Sequence, residues 1–195
     1  MNTVDGSVSN EALMIAVSVD DLHAFETLVG RHQDRIYRMA YHMLRSEEDA
    51  WDVSQEIFLK VYNARGSYVE NAKFTTWLFR IANNAIIDRL RQLQRRQKVV
   101  SMAEILSEPP SASPTTHHFL ELEEIKLKMS AVLSALSERQ RSMVILKYYE
   151  GFSVNEIAEM FECANGTVKA TLFQALRNLR TGLAKNGVIG PEVSS

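Results

Sequence analysis

The chain has 195 residues, 46% of them hydrophobic, a formal net charge of −2 and a single cysteine, Cys163. That length allows one or two domains with real apolar cores; the lone cysteine excludes an internal disulfide and a Cys-based metal site. No apolar run approaches the ~20 residues needed to span a bilayer, and MNTVDGSVSN lacks the cationic and apolar regions of a signal peptide, so a soluble cytoplasmic protein with no membrane contact of its own is expected.

Strand signals are nearly absent, and the periodicity predicts an all-α protein. Residues 1–19 read as an N-terminal extension. Over 20–45, Phe25, Leu28, Val29, Ile36, Tyr37, Ala40 and Leu44 recur on one stripe, giving one or two helices with Gly30 as the weak point. Ser46 with Asp49 caps a helix running to about Ala64. Its first half holds Glu47, Glu48, Asp49, Asp52 and Glu56 without a cation. Such a face suits a basic protein partner; a solvated acidic face is the plainer alternative.

After a loop over 65–71, a long helix is expected from Lys73 to Gln97, with Phe74, Leu78, Ile81, Ala85 and Ile86 inward. Residues 73–98 carry Lys73, Arg80, Arg89, Arg91, Arg95, Arg96 and Lys98 against Asp88 alone. A cationic helix suits phosphate. Tyr62, Tyr68, Phe74, Trp77 and Phe79 interleave with those cations. Single-stranded DNA is held in this way, each stacked base contributing ~1–3 kcal/mol. Phe74 also fits the core by periodicity, and Trp77 fits either place.

Residues 99–118 hold Pro109, Pro110 and Pro114, three of the four prolines, among Ser and Thr. They read as a flexible linker with a helical turn at 103–106. A helix resumes near Phe119. Ser137 with Gln140, and Ser153 with Glu156, form two capping boxes. Each opens a helix, the first ending at Glu150-Gly151 and the second near Phe161. Gly166-Thr167 starts a third, with Val168, Leu172, Ala175 or Leu176, Leu179 and Leu183 inward. Ala158 is small enough for two backbones to cross, and Cys163 suits a buried apolar position in the turn. The tail after Lys185 is expected to fray. Helix, short helix, tight turn and basic helix make a helix-turn-helix, whose last helix presents its first side chains to base edges and its cations to phosphates. A plain helical bundle and a dimeric duplex-binding regulator share that pattern.

The order of segments separates these readings. FETLVGRHQDRIYRMAYHML, EEDAWDVSQEIFLKVY and KFTTWLFRIANNAIIDRLR, followed by LSERQR, YYEGFSVNEIAEMF and NGTVKATL, resemble the compact two-domain, extracytoplasmic-function (ECF) sigma factors of bacterial RNA polymerase. The resemblance covers 20–91 and 119–183. It implies a region 2 domain over 20–98, the linker over 99–118, a region 4 domain over 119–185 and a tail over 186–195.

By the same resemblance, Asp49, Asp52, Gln55, Glu56 and Phe58 would dock on the clamp coiled coil of the largest subunit of core RNA polymerase. Tyr68, Lys73, Phe74, Thr76, Trp77, Arg80, Asn84, Asp88, Arg89 and Arg91 would capture the melted −10 element of promoter DNA, with Asp88 alternatively a structural partner for Arg80 or Arg91. Lys147, Thr167, Lys169, Ala170, Thr171, Phe173, Gln174 and Arg177 would lie at or near the −35 groove. The protein would be a non-enzymatic initiation factor, nucleoid-associated when in holoenzyme and restrained by an anti-sigma factor. His23, His32, His42, His117 and His118 show no metal spacing. No cofactor and no nucleophile–base set are expected.

The −35 reader departs from the family pattern. Ala170 stands for a serine, and Thr171, Gln174 and Leu176 stand for arginines. Each lost phosphate contact should flatten the salt dependence by ~0.9 log units, leaving Thr171 and Gln174 to set promoter choice. Glu162 stands for the turn glycine, which costs ~1–2 kcal/mol if the position is left-handed. Ala164 stands for the serine cap, and Asn165 is expected to take over capping. From Gln92 to His118 there are 27 residues, reaching ~90 Å extended. That exceeds the ~70 Å between elements two helical turns apart.

Overall fold

A computed structural model of the chain describes residues 8–69, 73–103, 128 and 131–188, with α4 beyond residue 96 described by its backbone. Every regular element among these residues is helical. In the N-terminal block α1 spans Asn10–Ser18, α2 Leu22–Leu44, α3 Glu47–Asn63 and α4 Phe74–Ala103, with a 3₁₀ turn at Arg65–Ser67.

Side-chain caps start the first three helices. Ser9 Oγ accepts from the Ala12 N–H (3.1 Å), Asp21 Oδ1 from Ala24 (3.0 Å) and Ser46 Oγ from Asp49 (3.2 Å). Helix α1 lies in the stretch expected only as an extension. Its buried set is Leu13, Met14 and Val17, too short a stripe to stand out in the sequence. Helix α2 is one unbroken helix through Gly30 and ends on Arg45, whose φ is 60°. Helix α4 continues six residues past Gln97, into the start of the expected linker. Residues 104–127, which hold the rest of that linker, its Leu106 turn and the helix near Phe119, lie outside the described residues, as does the tail after 188. Leu28, Ile36, Met39, Met43, Ile57, Phe74, Leu78, Phe79 and Ile86 are fully buried among these helices, each contributing roughly 1.5–3 kcal/mol.

In the C-terminal block α5 spans Glu138–Val144, α6 Val154–Met160 and α7 Asn165–Lys185. Both capping boxes close on both sides. Beyond Val144 the helix widens into π-helical winding over Ile145–Tyr149, with the Glu150 N–H donating to Ile145 O at 3.1 Å. Gly151, with φ 78°, then supplies the left-handed residue that ends it. Ala158 is buried, and Cys163 is half-buried in the turn. Val168, Leu172 and Ala175 face inward while Leu176 is exposed, so Ala175 holds the inward position.

Glu162 is left-handed, with φ 49°. Asn165 is not the cap: Ala164 occupies that position without a side-chain hydrogen bond, and Asn165 Nδ2 instead donates to Asn155 Oδ1 (2.7 Å). Asn165 is already helical, so its side chain is past the point from which a cap reaches the N2 and N3 amides.

The two blocks pack against each other. Arg141, itself buried, donates from Nε to Leu133 O (3.0 Å), from Nη2 to Ser134 O (2.9 Å) and from Nη1 across the boundary to Met43 O (3.0 Å). Burial lowers its pKa from the ordinary arginine value. Arg35 of α2 donates from Nε to Glu150 Oε2 (3.0 Å) and lies over the rings of Phe79 and Phe152, which meet edge to face at 4.9 Å.

Candidate nucleic-acid and partner interfaces

Three surfaces carry the residues singled out in the sequence. The first is α3 against α2. Asp49 and Asp52 turn toward α4, where Arg89 meets them at 3.9 and 3.4 Å. Arg89 is therefore held on the α3 side, away from the aromatic cluster at the start of α4. Glu56 pairs with Lys60 at 2.9 Å. Phe58 is buried at the floor of an apolar groove whose walls include Phe25, Val29, Trp51, Gln55 and Leu59. Trp51 is 55% exposed and Leu59 65%. The acidic residues are the prominent pattern in the sequence, while the groove is encoded only in the helical spacing of 51, 55, 58 and 59.

The second surface is the first half of α4. Glu11 of α1 accepts the Phe74 N–H at 3.0 Å, so a carboxylate sits at the helix's positive end. Tyr68, Phe74 and Trp77 form an aromatic cluster, Tyr68 edge-on to Trp77 at 5.3 Å, with His32 on the other side of Phe74 at 5.4 Å. Phe74 is core, and Trp77 and Thr76 are also buried.

What covers this surface is the C-terminal block. Thr76, Trp77 and Arg80 line a small pocket with Glu159 and Met160 of α6. Lys73 Nζ donates to Glu156 Oε1 at 2.8 Å, Arg80 approaches Glu162 at 3.7 Å, and Arg91 Nε donates to Glu138 Oε2 at 2.9 Å. The Lys73 ammonium, helped by Ser153, holds the Glu156 carboxyl well below the usual carboxylate range, and Glu156 raises Lys73 in return. Asn84 and Asp88 stay exposed in the cleft between the blocks. Among the described residues Asp88 pairs with neither Arg80 nor Arg91, whose acidic partners come from the C-terminal block.

The third surface is the outer face of α7. Thr167, Lys169, Ala170, Phe173, Gln174 and Arg177 are exposed, and Thr171 is half-buried. Lys147 is apart from them, its Nζ donating to Phe152 O at 3.3 Å. No residue of the N-terminal block covers this face among the described contacts. Among the described residues there is no cluster of His, Cys, Asp and Glu able to hold a metal ion, and no described helix is long and apolar enough to cross a membrane.

Residues 28–96 match Sigma-70 region 2 and residues 126–179 match Sigma-70, region 4. Together these make the fold that of a Sigma-70 transcription initiation factor, with one region in each helical block. The chain is 30% identical over 180 residues to the ECF RNA polymerase sigma factor SigW of Bacillus subtilis, covering 86% of this chain and 92% of that one. It is 29% identical over 163 residues to the ECF sigma factor SigE of Mycolicibacterium smegmatis, covering 84% of this chain but 63% of that longer one. Its fold superposes with a TM-score of 0.61 on the sigma factor RpoE of Bartonella quintana, solved in complex with the anti-sigma factor NepR, at 24% identity and covering 82% and 96% of the two chains. The chain belongs to the ECF RNA polymerase sigma factors.

Proposed function

We propose that this sigma factor docks on the clamp coiled coil of core RNA polymerase through the α2–α3 groove, with Trp51, Phe58 and Leu59 as the apolar anchor and Gln55 as a polar contact beside them. Asp49, Asp52 and Glu56 form its acidic rim. The α4 face, with Tyr68, Lys73, Thr76, Trp77, Arg80 and Asn84, takes the melted −10 strand. The α7 face takes the −35 duplex. The protein performs no chemistry itself and acts in the cytoplasm, on the nucleoid once in holoenzyme. An anti-sigma factor restrains it, as the pairing of RpoE with NepR suggests for a protein of the same fold.

The observation that carries this reading is an asymmetry. The −35 face of α7 is open, whereas the −10 face of α4 is shut beneath α6 by Lys73–Glu156 and by the burial of Thr76 and Trp77. The free chain is thus a closed form whose −10 face is covered, so that it holds a melted strand only weakly. Polymerase, by binding α3 and drawing the blocks apart along the DNA, selects the open form.

Run-off transcription with core polymerase tests the reading. The expected result is a promoter-specific transcript that depends on the chain and falls when the α3 groove is altered. A chain that footprints duplex DNA alone and yields no such transcript overturns it.

A further inference from the structure

Helix α7 shows a division of labour along its open face. Lys169 and Arg177 are eight residues apart and therefore ~12 Å apart along the axis, about the width of a major groove. Both are exposed, with no described ion-pair partner. They suit the phosphates on either side. Between them lie Ala170, Phe173 and Gln174, without charge. Phe173 is 71% exposed, the most exposed aromatic among the described residues, and does no packing that would explain it.

Gln174 is oriented by a neighbour on its own helix. Its Nε2 donates to Asn178 Oδ1 at 3.0 Å, one turn further along the helix. A carboxamide nitrogen has two hydrogens. One is engaged by Asn178, so the second, beside the carbonyl oxygen, leaves a donor and an acceptor side by side. Adenine offers the complement in the major groove, the N7 acceptor and the N6 donor. Guanine offers two acceptors, N7 and O6, and places one of them against the carbonyl. The Ala170 methyl and the Phe173 ring suit the C5-methyl of thymine, the one apolar group in that groove.

We propose that Gln174 selects an adenine in the −35 element, that Asn178 positions its amide to do so, and that Phe173 with Ala170 selects a neighbouring thymine through its methyl group. This rests on α7 being the −35 reader. The consequence is a −35 element read through A·T pairs, with Lys169 and Arg177 supplying affinity that does not depend on sequence.

The test is promoter selection by reconstituted holoenzyme from a library randomised over the −35 element. The unaltered chain should enrich adenine at one position by roughly 5- to 150-fold over guanine, as expected for one bidentate base contact. Gln174→Arg should move the choice at that same position to guanine, because an arginine fork pairs with O6 and N7. Asn178→Ala should shrink the adenine preference while leaving the salt dependence of binding unchanged, a split that mere loss of helix stability would not produce. Replacing the neighbouring thymine by deoxyuridine should weaken the unaltered holoenzyme several-fold and leave Phe173→Ala indifferent.

Two failures are distinguishable. If selection returns a −35 element whose base choice is the same with Gln174→Arg, the amide reading is wrong and the −35 assignment stands. If selection returns no −35 element although transcripts form, α7 is not the reader and the inference falls with it.

Discussion

Lys73 Nζ lies 2.8 Å from Glu156 Oε1, joining the residue that leads into α4 to the first turn of α6. The same carboxylate closes the Ser153 capping box, its Oε2 accepting from the Ser153 N–H at 2.8 Å. One side chain thus both starts α6 and holds that helix over the first half of α4. The Lys73 end is well exposed, so solvent screens this ion pair and it favours the closed form only weakly. That is enough to bias an equilibrium and weak enough for polymerase to reverse it.

Glu156→Gln separates the two roles, since glutamine also serves at the third position of a capping box. Binding of a single-stranded −10 oligonucleotide, followed by fluorescence anisotropy, should tighten roughly 1.5- to 5-fold, matching the loss of one exposed ion pair. Far-UV circular dichroism should stay the same. Unchanged affinity would mean that the latch does not hold the face shut.

The α3 groove gives a second expectation. Trp51→Ala should weaken binding to core polymerase by more than tenfold, as for a buried aromatic anchor worth ~2 kcal/mol or more. Asp52→Ala should cost less, because Asp52 is already engaged by Arg89 at 3.4 Å. Equilibrium titration of labelled chain against core polymerase reads both.

Much of this was legible beforehand, and the divisions are instructive. The capping boxes at Ser137 and Ser153 form as read, because the signal is local and both partners lie within one turn. The N-cap at Ser46 forms for the same reason. Helix α1 and the π-helical stretch at Ile145–Tyr149 were not legible. The first has a three-residue stripe, and the second is a change of winding that leaves no mark on residue spacing. The covering of Thr76, Trp77 and Arg80 was beyond reach for another reason: it arises from contacts such as Lys73–Glu156, 83 residues apart, which no periodicity encodes. Trp51 and Leu59 follow helical spacing in the sequence, but the acidic residues beside them form the stronger pattern.

His32 makes stability depend on pH. Burial, with Arg35 and Arg31 adding to it, pushes its pKa down from 6.5 to about 4, and both ring nitrogens lack a hydrogen-bond partner. The unfolded chain therefore binds a proton that the folded chain refuses between pH 6.5 and 4. The contribution of His32 to stability is full above pH 6.5 and falls as pH drops through that window, by on the order of 3 kcal/mol in all. Chemical denaturation at pH 7 and pH 4.5 should show His32→Phe losing markedly less stability than the unaltered chain.

Glu162 holds a left-handed conformation, φ 49°, in the turn of the helix-turn-helix. Its pairing with Arg80 at 3.7 Å is loose and exposed. Glu162→Gly should therefore stabilise the chain by ~1 kcal/mol, raising Tm by roughly 2–4 °C in a thermal melt. A lower Tm would mean that the Arg80 contact outweighs the backbone strain.

Arg141→Ala should act in the opposite direction. It would leave the carbonyls of Leu133, Ser134 and Met43 without their charged donor, at a cost of about 3 kcal/mol or more. Urea unfolding should show that loss. Hydrogen exchange should rise at the Met43 end of α2 as well as in α5.

We infer that the chain initiates transcription only when α4 separates from α6. The most direct measurement is run-off transcription by holoenzyme made with Lys73→Cys/Glu156→Cys in a Cys163→Ala background, with and without a short bis-maleimide tether between the two new thiols. The expected result is a promoter-specific transcript from chain whose thiols are singly capped and none from tethered chain. Equal transcription from the tethered chain would contradict the account.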